Sequence, residues 1–261
     1  MDNDTQASPR LFAEDLATGV VTIAGGEAHH AARVLRLRAG DAVELFDGRG
    51  RASGGRIEAV ARRQVRVAID DAPREQPRPA PAVELAFAVP KSKRLDWLLE
   101  KATELGAAAL QPIVFARSVA GPGAGEMSAA KRERWRLHCV AACKQCGLNW
   151  LPALAEPAEL TAYLGVLPPA GDNEVRVVGE TGSAPPVREA LSAPPACGVL
   201  TAAPRCERAV ILVGPEGGLT TDERQAAAAA GFQAARLGET TLRVETADVA
   251  LIAAVRAVFG R

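Results

Sequence analysis

The sequence has no charge excess of either sign: 31 Lys and Arg stand against 31 Asp and Glu in 261 residues. Nucleic-acid binders usually carry a basic excess, so this total alone points away from one. There is no apolar run long enough to cross a bilayer. The opening MDNDTQASPR lacks the basic-then-apolar order of a signal peptide. These absences argue against a membrane or secreted protein and predict a soluble, cytoplasmic one. Cysteine is scarce and odd in number: Cys139, Cys143, Cys146, Cys197 and Cys206. Without a secretory signal, such a set reads as reduced thiols and not as a disulfide framework. Cys143-Lys-Gln-Cys146 has CxxC form, but there is no second CxxC and only three histidines exist. It therefore reads as helix-packing thiols, and no metal is expected. Neither GxGxxG after a strand nor GxxxxGK[ST] occurs, so there is no pyrophosphate or triphosphate cradle.

What remains is ordinary globular composition, 48% hydrophobic and 24% charged. The sharpest shift lies near Pro77, Pro79 and Pro81, where alternating prolines interrupt helix and central strand alike. Residues 73–81 are read as a linker between domains at 1–72 and 82–261. The first domain shows short β-branched runs at 20–23, 42–46, 56–60 and 64–69, with Asp47-Gly48 and Gly54-Gly55 as turns. That spacing predicts a small β-barrel, with one helix over 27–37. The second domain alternates strands at 83–89, 110–115, 175–178, 209–213 and 234–237 with helices at 94–105, 128–146, 220–230 and 246–259. Alternation predicts an α/β domain with a largely parallel sheet. The stretches 121–125 and 185–208 read as exposed loops.

Chemistry in such a sheet lies at the carboxyl ends of its strands. Two loops follow strands directly: Val213-Gly-Pro-Glu-Gly-Gly-Leu219 and Leu237-Gly-Glu-Thr-Thr-Leu-Arg-Val-Glu-Thr-Ala247. In the first, Gly217 and Gly218 allow positive φ and close approach to a ligand, and Glu216 is placed to read hydroxyls or amines. The second packs Arg243, Glu245 and Thr246 beside Leu242. A ligand held by two such loops is small and mostly neutral, such as a nucleoside derivative.

Charge is uneven along the chain. Residues 29–66 hold nine arginines against four acids, and residues 131–144 hold five basic residues against one acid. Arginine forks suit phosphate. His29, His30, Arg33 and Arg36 are candidate RNA contacts, as are Lys91, Lys93 and Arg94 after the strand ending near Pro90.

The order Ala28-His-His30, Val34-Leu-Arg36, Lys91-Ser-Lys-Arg-Leu-Asp-Trp97, Glu100-Lys-Ala-Thr-Glu-Leu-Gly106, Gln145-Cys-Gly147, Gly214-Pro-Glu-Gly-Gly218 and Leu242-Arg-Val-Glu-Thr-Ala247 resembles the RsmE family over nearly the whole chain. These are ribosomal RNA uridine-N3 methyltransferases of the SPOUT superfamily. The resemblance implies a PUA-like N-terminal barrel and a C-terminal α/β domain with a trefoil knot. It implies S-adenosyl-L-methionine as cofactor, a homodimer, and a target uridine in 16S ribosomal RNA, within the small ribosomal subunit. By the matching motifs, the cofactor residues are Val213, Gly214, Pro215, Glu216, Gly217, Gly218, Leu237, Gly238, Thr241, Leu242 and Arg243, with the loop around Gly179 and Glu180 as a third match. Arg243 is expected to stabilise the uracil anion, while Glu245 or Glu216 orients groups or accepts the proton. Lys144 and Leu148 depart from many members of the family, which have an acidic residue before the Gln and an arginine soon after the Gly; Thr240 and Val244 stand where relatives often have Arg and Thr. The alternatives are a SPOUT enzyme acting on another RNA position and a non-catalytic RNA-binding assembly factor.

Overall fold

The computed structural model describes residues 8–118, 127–192 and 206–260. They form two compact units. One takes the chain up to Arg78 together with Val140–Leu151, and the other takes Pro79–Cys139 and everything from Pro152.

The first unit is a mixed sheet of β1 (Arg10–Phe12), β2 (Val20–Ala24), β3 (Ala42–Phe46), β4 (Arg51–Val60), β5 (Gln64–Ile69) and β6 (Arg74–Glu75). The hydrogen-bonded order is β1-β3-β4-β5-β2, with β6 on β4. β1 runs parallel to β3, and the remaining pairs are antiparallel. Among the described residues the ladder stays open between β1 and β2, so the expected barrel is not closed by hydrogen bonds. Alternating residues Val21, Ile23, Val43, Leu45, Val65 and Val67 fill one core. Gly54-Gly55 is not a turn. β4 continues through both, and position 55 takes glycine because a Cβ there would stand 2.7 Å from the Ala68 carbonyl oxygen across the ladder. The expected helix over 27–37 begins earlier and is shorter: α1 (Gly25–His29) passes into a π-helical turn, His30–Val34, and ends before Arg36 at φ +56°.

Val140–Leu151, assigned from sequence to the second domain, belongs here. Val140 and Cys143 bury against Phe46 and Ala52, with Phe12, Leu148 and Leu151 around them. The Arg10 guanidinium donates to the Cys143 carbonyl and to Asn149 Oδ1. Lys144 meets Glu27 Oε1 at 2.8 Å, and the Phe12 N–H donates to the same oxygen. The family departure at Lys144 is thus matched by a partly buried ion pair. The Gln145-Cys-Gly147 motif closes a helix, since Gly147 at φ +81° returns its N–H to the Cys143 carbonyl.

The second unit holds β7 (Ala82–Ala88), α2 (Ser92–Glu104), β8 (Ala107–Val114), α3 (Ala129–Cys146, whose residues from Val140 count with the first unit), β9 (Ala153–Leu154), β10 (Ala158–Glu159) and α4 (Leu160–Val166). It continues with β11 (Glu174–Gly179), α5 (Val187–Ser192), β12 (Arg208–Val213), α6 (Thr221–Ala229), β13 (Gln233–Ala235) and α7 (Val244–Phe259). The sheet order is β10-β8-β7-β12-β11-β13, with β9 on β8, and every pair is parallel. The central strands β7 and β12 read as continuous apolar runs because both faces are covered. α5 corrects the expected loop at 185–208: Ala190 and Leu191 are buried, so this segment has a core to pay for its order. Residues 121–125 and 193–205 lie outside the described ones. Among the described residues no helix is long and apolar enough to cross a membrane, and Cys139, Cys143, Cys146 and Cys206 are unbridged.

Candidate functional site

All strands of the second sheet point the same way, so their carboxyl ends gather the loops at one edge. Three of these loops line a cavity of about 330 Å³: residues 179–182 after β11, 213–219 after β12 and 237–242 after β13. Ligand pockets of roughly 300–1,000 Å³ are usual.

The loop after β12 is built for close approach. Gly214 has no room for a Cβ, which would strike Leu219 Cδ1. Gly218 sits at φ +67°, the left-handed region glycine favours. Gly217, expected to share that conformation, does not; it packs under Arg117, whose Nη1 donates to its carbonyl at 2.9 Å. The loop then enters α6 through a capping box. Thr220 Oγ1 accepts from the Glu223 N–H, and Glu223 Oε2 accepts from the Thr220 N–H at 2.7 Å. The other oxygen, Oε1, accepts from the Ala116 N–H at 2.8 Å, which ties the loop after β8 to the same helix start. The loop after β11 is tied in turn: the Glu180 N–H donates to the Ala235 carbonyl, and its carboxylate holds Arg224 at 2.7 Å.

The charged residues around this cavity are Glu180, Glu216, Glu239 and Arg224. Arg224 is committed to Glu180, and Arg94, from outside this lining, pairs with Glu216, so the carboxylates outnumber the guanidinium groups by one, which disfavours a phosphate chain and favours a cationic or neutral ligand.

A second cavity of about 200 Å³ opens beside the first and shares Pro215, Glu216 and Val244 with it. It lies beyond the ends of β7 and β8 and is faced by Lys91, Arg94, Ser118, Lys131, Glu216 and Glu245. Here three predicted residues meet. Arg94 Nη1 donates to Glu216 Oε1 at 3.0 Å, and Arg94 Nε lies 3.5 Å from Glu245 Oε1. The Glu216 side chain is 67% exposed and that of Glu245 only 8%. Glu245 Oε2 is buried without a hydrogen-bond partner among the described residues. One turn further along α7, Asp248 is wholly buried, and among the described residues neither of its oxygens has a hydrogen-bond partner. Burial, and then the Glu245 charge, raise its carboxyl well above the ordinary value.

Residues 76–256 match the RNA methyltransferase domain family, and residues 23–70 match the RNA methyltransferase PUA domain. The ribosomal RNA small subunit methyltransferase E of a Synechocystis strain is 31% identical, over 94% of this chain and 75% of its own. That of Mycobacterium tuberculosis is 32% identical, over 94% and 89%. The chain belongs to the RsmE family of RNA methyltransferases. Two solved structures share its fold. The RsmE of Neisseria gonorrhoeae bound to S-adenosyl methionine has a TM-score of 0.80 at 29% identity, covering 97% of this chain and 99% of the other. A Legionella pneumophila methyltransferase in complex with the same cofactor has a TM-score of 0.83 at 25% identity, covering 98% and 99%.

Against the RsmE motifs, Gly179, Val213 to Gly218, Leu237, Gly238, Thr241 and Leu242 all lie in the lining of the larger cavity. Arg243 does not. It is the N-cap of α7, exposed, and lines neither cavity. Lys91 faces the smaller cavity, while Lys93 is exposed and faces neither. His29, Arg33 and Arg36 are exposed in the first unit, and His30 is half-buried. Burial, with the Lys144 ammonium adding to it, lowers His30 below its ordinary value. Neither histidine is in the core, and His30 brings little positive charge at neutral pH. Glu180 lies in the expected third loop and Thr240 is one of the family departures, but Asp248 and the pairing of Glu180 with Arg224 are not expected from sequence. Asp248 had a signal: a carboxylate three residues after Glu245 in the otherwise apolar run Ala247-Asp-Val-Ala-Leu-Ile252.

Proposed function

We propose that this protein transfers a methyl group from S-adenosyl-L-methionine to N3 of a uridine in 16S ribosomal RNA of the small subunit, as a cytoplasmic homodimer. The observation that carries this reading is the three-loop cavity, lined by three carboxylates and one paired guanidinium, beside a second cavity that holds Arg94, Glu216 and Glu245. The excess of carboxylates complements a sulfonium, and the glycine backbone allows an adenosine close approach. When bound, the cofactor supplies an electrophilic methyl carbon for in-line displacement.

The protein's task is alignment and removal of a proton, because uridine N3 is protonated at neutral pH and a poor nucleophile. Glu245 or Glu216 accepts that proton. Arg243, exposed at the start of α7, offers its charge to the RNA at the rim. The exposed arginines of the first unit, Arg33 and Arg36 with His29 and His30 beside them, together with Lys91 and Lys93, bind the backbone. The first unit, which runs to Arg78 and takes in Val140–Leu151, is the RNA-binding part, and the second unit is the catalytic one; the linker expected at 73–81 is shortened by β6 at Arg74–Glu75, which pairs with β4. The trefoil knot belongs to this reading through the RsmE resemblance.

Mass mapping of ribosomal RNA nucleosides tests this. A strain lacking the protein is expected to lose one N3-methyluridine, restored by adding the enzyme to its small subunits. An unchanged profile overturns the reading, and a folded protein with no calorimetric binding of S-adenosyl-L-methionine favours the non-catalytic factor.

A further inference from the structure

The proline-rich segment begins as a strap on the first unit. β6 pairs with β4, and the Gln76 N–H donates to the Gly50 carbonyl at 2.7 Å. The Gln76 side-chain oxygen accepts from the Asn149 N–H at 2.7 Å, and its carbonyl accepts from Trp150 Nε1 at 2.8 Å. Arg49 and Trp150 form an antiparallel bridge, where the Gly50 N–H donates to the Asn149 carbonyl at 2.9 Å. Three stretches far apart in sequence, 47–51, 74–78 and 149–151, thus meet within the first unit. Position 50 takes glycine, at φ +101°, because a Cβ there would strike the Trp150 ring. The indole is fixed by its own N–H and is half-buried. The Arg78 guanidinium lies over it, 4.5 Å from the ring centroid.

Arg78 and Arg49 are exposed, and among the described residues neither pairs with a carboxylate. The acids of the three stretches are both set against Arg51: Asp47 pairs with it at 2.7 Å, and Glu75 stands opposite it in the ladder. Pro77 fixes its own φ, and Pro79 restricts Arg78 to extended backbone, so little ordering remains when the guanidinium meets a ligand. A flat cation held over an indole keeps its outer face for a second flat group. Unpaired RNA bases stack on guanidinium planes of this kind. We propose that Trp150 and Arg78, with Arg49 beside them, form a stacking platform for one unpaired base of the ribosomal RNA. The base lies on the outer face of the Arg78 guanidinium, and Arg49 takes a neighbouring phosphate. This rests on the RNA-binding role proposed above for the first unit. It adds a contact to a base, where the exposed arginines supply contacts to the backbone.

The test uses the full-length protein, a single-stranded oligoadenylate of about eight nucleotides, and an abasic ribose-phosphate chain of the same length and charge. Wild type is expected to prefer the oligoadenylate by about tenfold, which phosphate contacts alone do not give. Arg78→Lys keeps the charge and loses the plane. It is expected to bind the abasic chain within about twofold of wild type and to lose most of the preference, with an unchanged salt slope. Arg49→Ala is expected to weaken both chains alike and to lower the log–log slope by roughly 0.7. On unmethylated small subunits, Arg78→Lys is expected to raise KM about fivefold at unchanged kcat. Calorimetry with S-adenosyl-L-methionine reports folding, with affinity within about twofold in each variant. Equal wild-type affinity for the two chains, or a preference that Arg78→Lys leaves intact, overturns the platform. An unchanged KM overturns ribosomal RNA as its occupant. A wild type that methylates no uridine, yet loses the preference on Arg78→Lys, supports the platform and overturns the activity proposed above.

Discussion

Asp248 is a buried acid with no hydrogen-bond partner among the described residues. Its raised carboxyl holds a proton in the folded state that the unfolded chain releases above pH ~4. Stability from this group is therefore full below the ordinary carboxylate range and is lost as pH rises. Asp248→Asn is expected to be more stable than wild type at pH ~8 by about 1–3 kcal/mol, with the gap closing below pH ~4, as measured by thermal melts. Asp47 is the opposite case. Burial pushes its carboxyl up, but the N–H groups of Arg49 and Arg51 and the Arg51 guanidinium outweigh this and hold it low. Its contribution is present above the unfolded value and fades as pH falls through the folded one. At this scale the sequence was readable in residue type and misleading in direction. Arg243 and Glu245 are two residues apart, yet one is the exposed N-cap and the other the buried second residue of the same helix. Two residues are roughly half a helical turn, which separates rim from interior, and motif spacing does not report it.

Elements carry the next level of control. The capping box at Thr220 has a purely local signal, Thr and Glu three residues apart at the start of the helix expected over 220–230. Thr220→Ala is expected to cost about 1 kcal/mol in denaturant melts. Glu223→Ala is expected to cost more, about 2 kcal/mol, and to weaken cofactor binding, because it also frees the Ala116 N–H. Strand β4 was only half legible. Gly54-Gly55 signals a turn locally, and only the partner strand's carbonyl shows why glycine is needed within the ladder. β1 and α4 are too short to show a period, so they went unread. Lys144 was read as a departure without a cause, since its partner Glu27 lies 117 positions away. Lys144→Glu, which restores the family's charge, is expected to destabilise by roughly 1–3 kcal/mol, and a double-mutant cycle with Glu27→Lys should recover part of the loss.

For the whole molecule, the zero net charge conceals segregation. Arg33, Arg36, Arg38, Arg56, Arg62 and Arg63 are all exposed in the first unit, while the larger cavity of the second is acidic. Phosphate contacts make affinity fall with salt, by roughly 0.7 in log–log slope for each contact to single-stranded RNA. Arg62→Ala with Arg63→Ala is expected to weaken RNA binding and flatten that slope, with cofactor affinity unchanged; filter binding across a salt series measures it. The parallel sheet was legible from alternating strands and helices. The inclusion of Val140–Leu151 in the first unit was not, because nothing local marks where a continuous helix changes core.

That inclusion sets a timetable. A chain is synthesised from its N-terminus and tends to fold in the order made. Here the core around Phe12, Phe46 and Ala52 lacks Val140, Cys143 and Leu151 until all of Pro79–Cys139 has been translated. A nascent chain paused before Val140 therefore displays an apolar patch that chaperones recognise. For the same reason, a fragment cut at the proline-rich segment is expected to be an incomplete object and not a portable RNA-binding module.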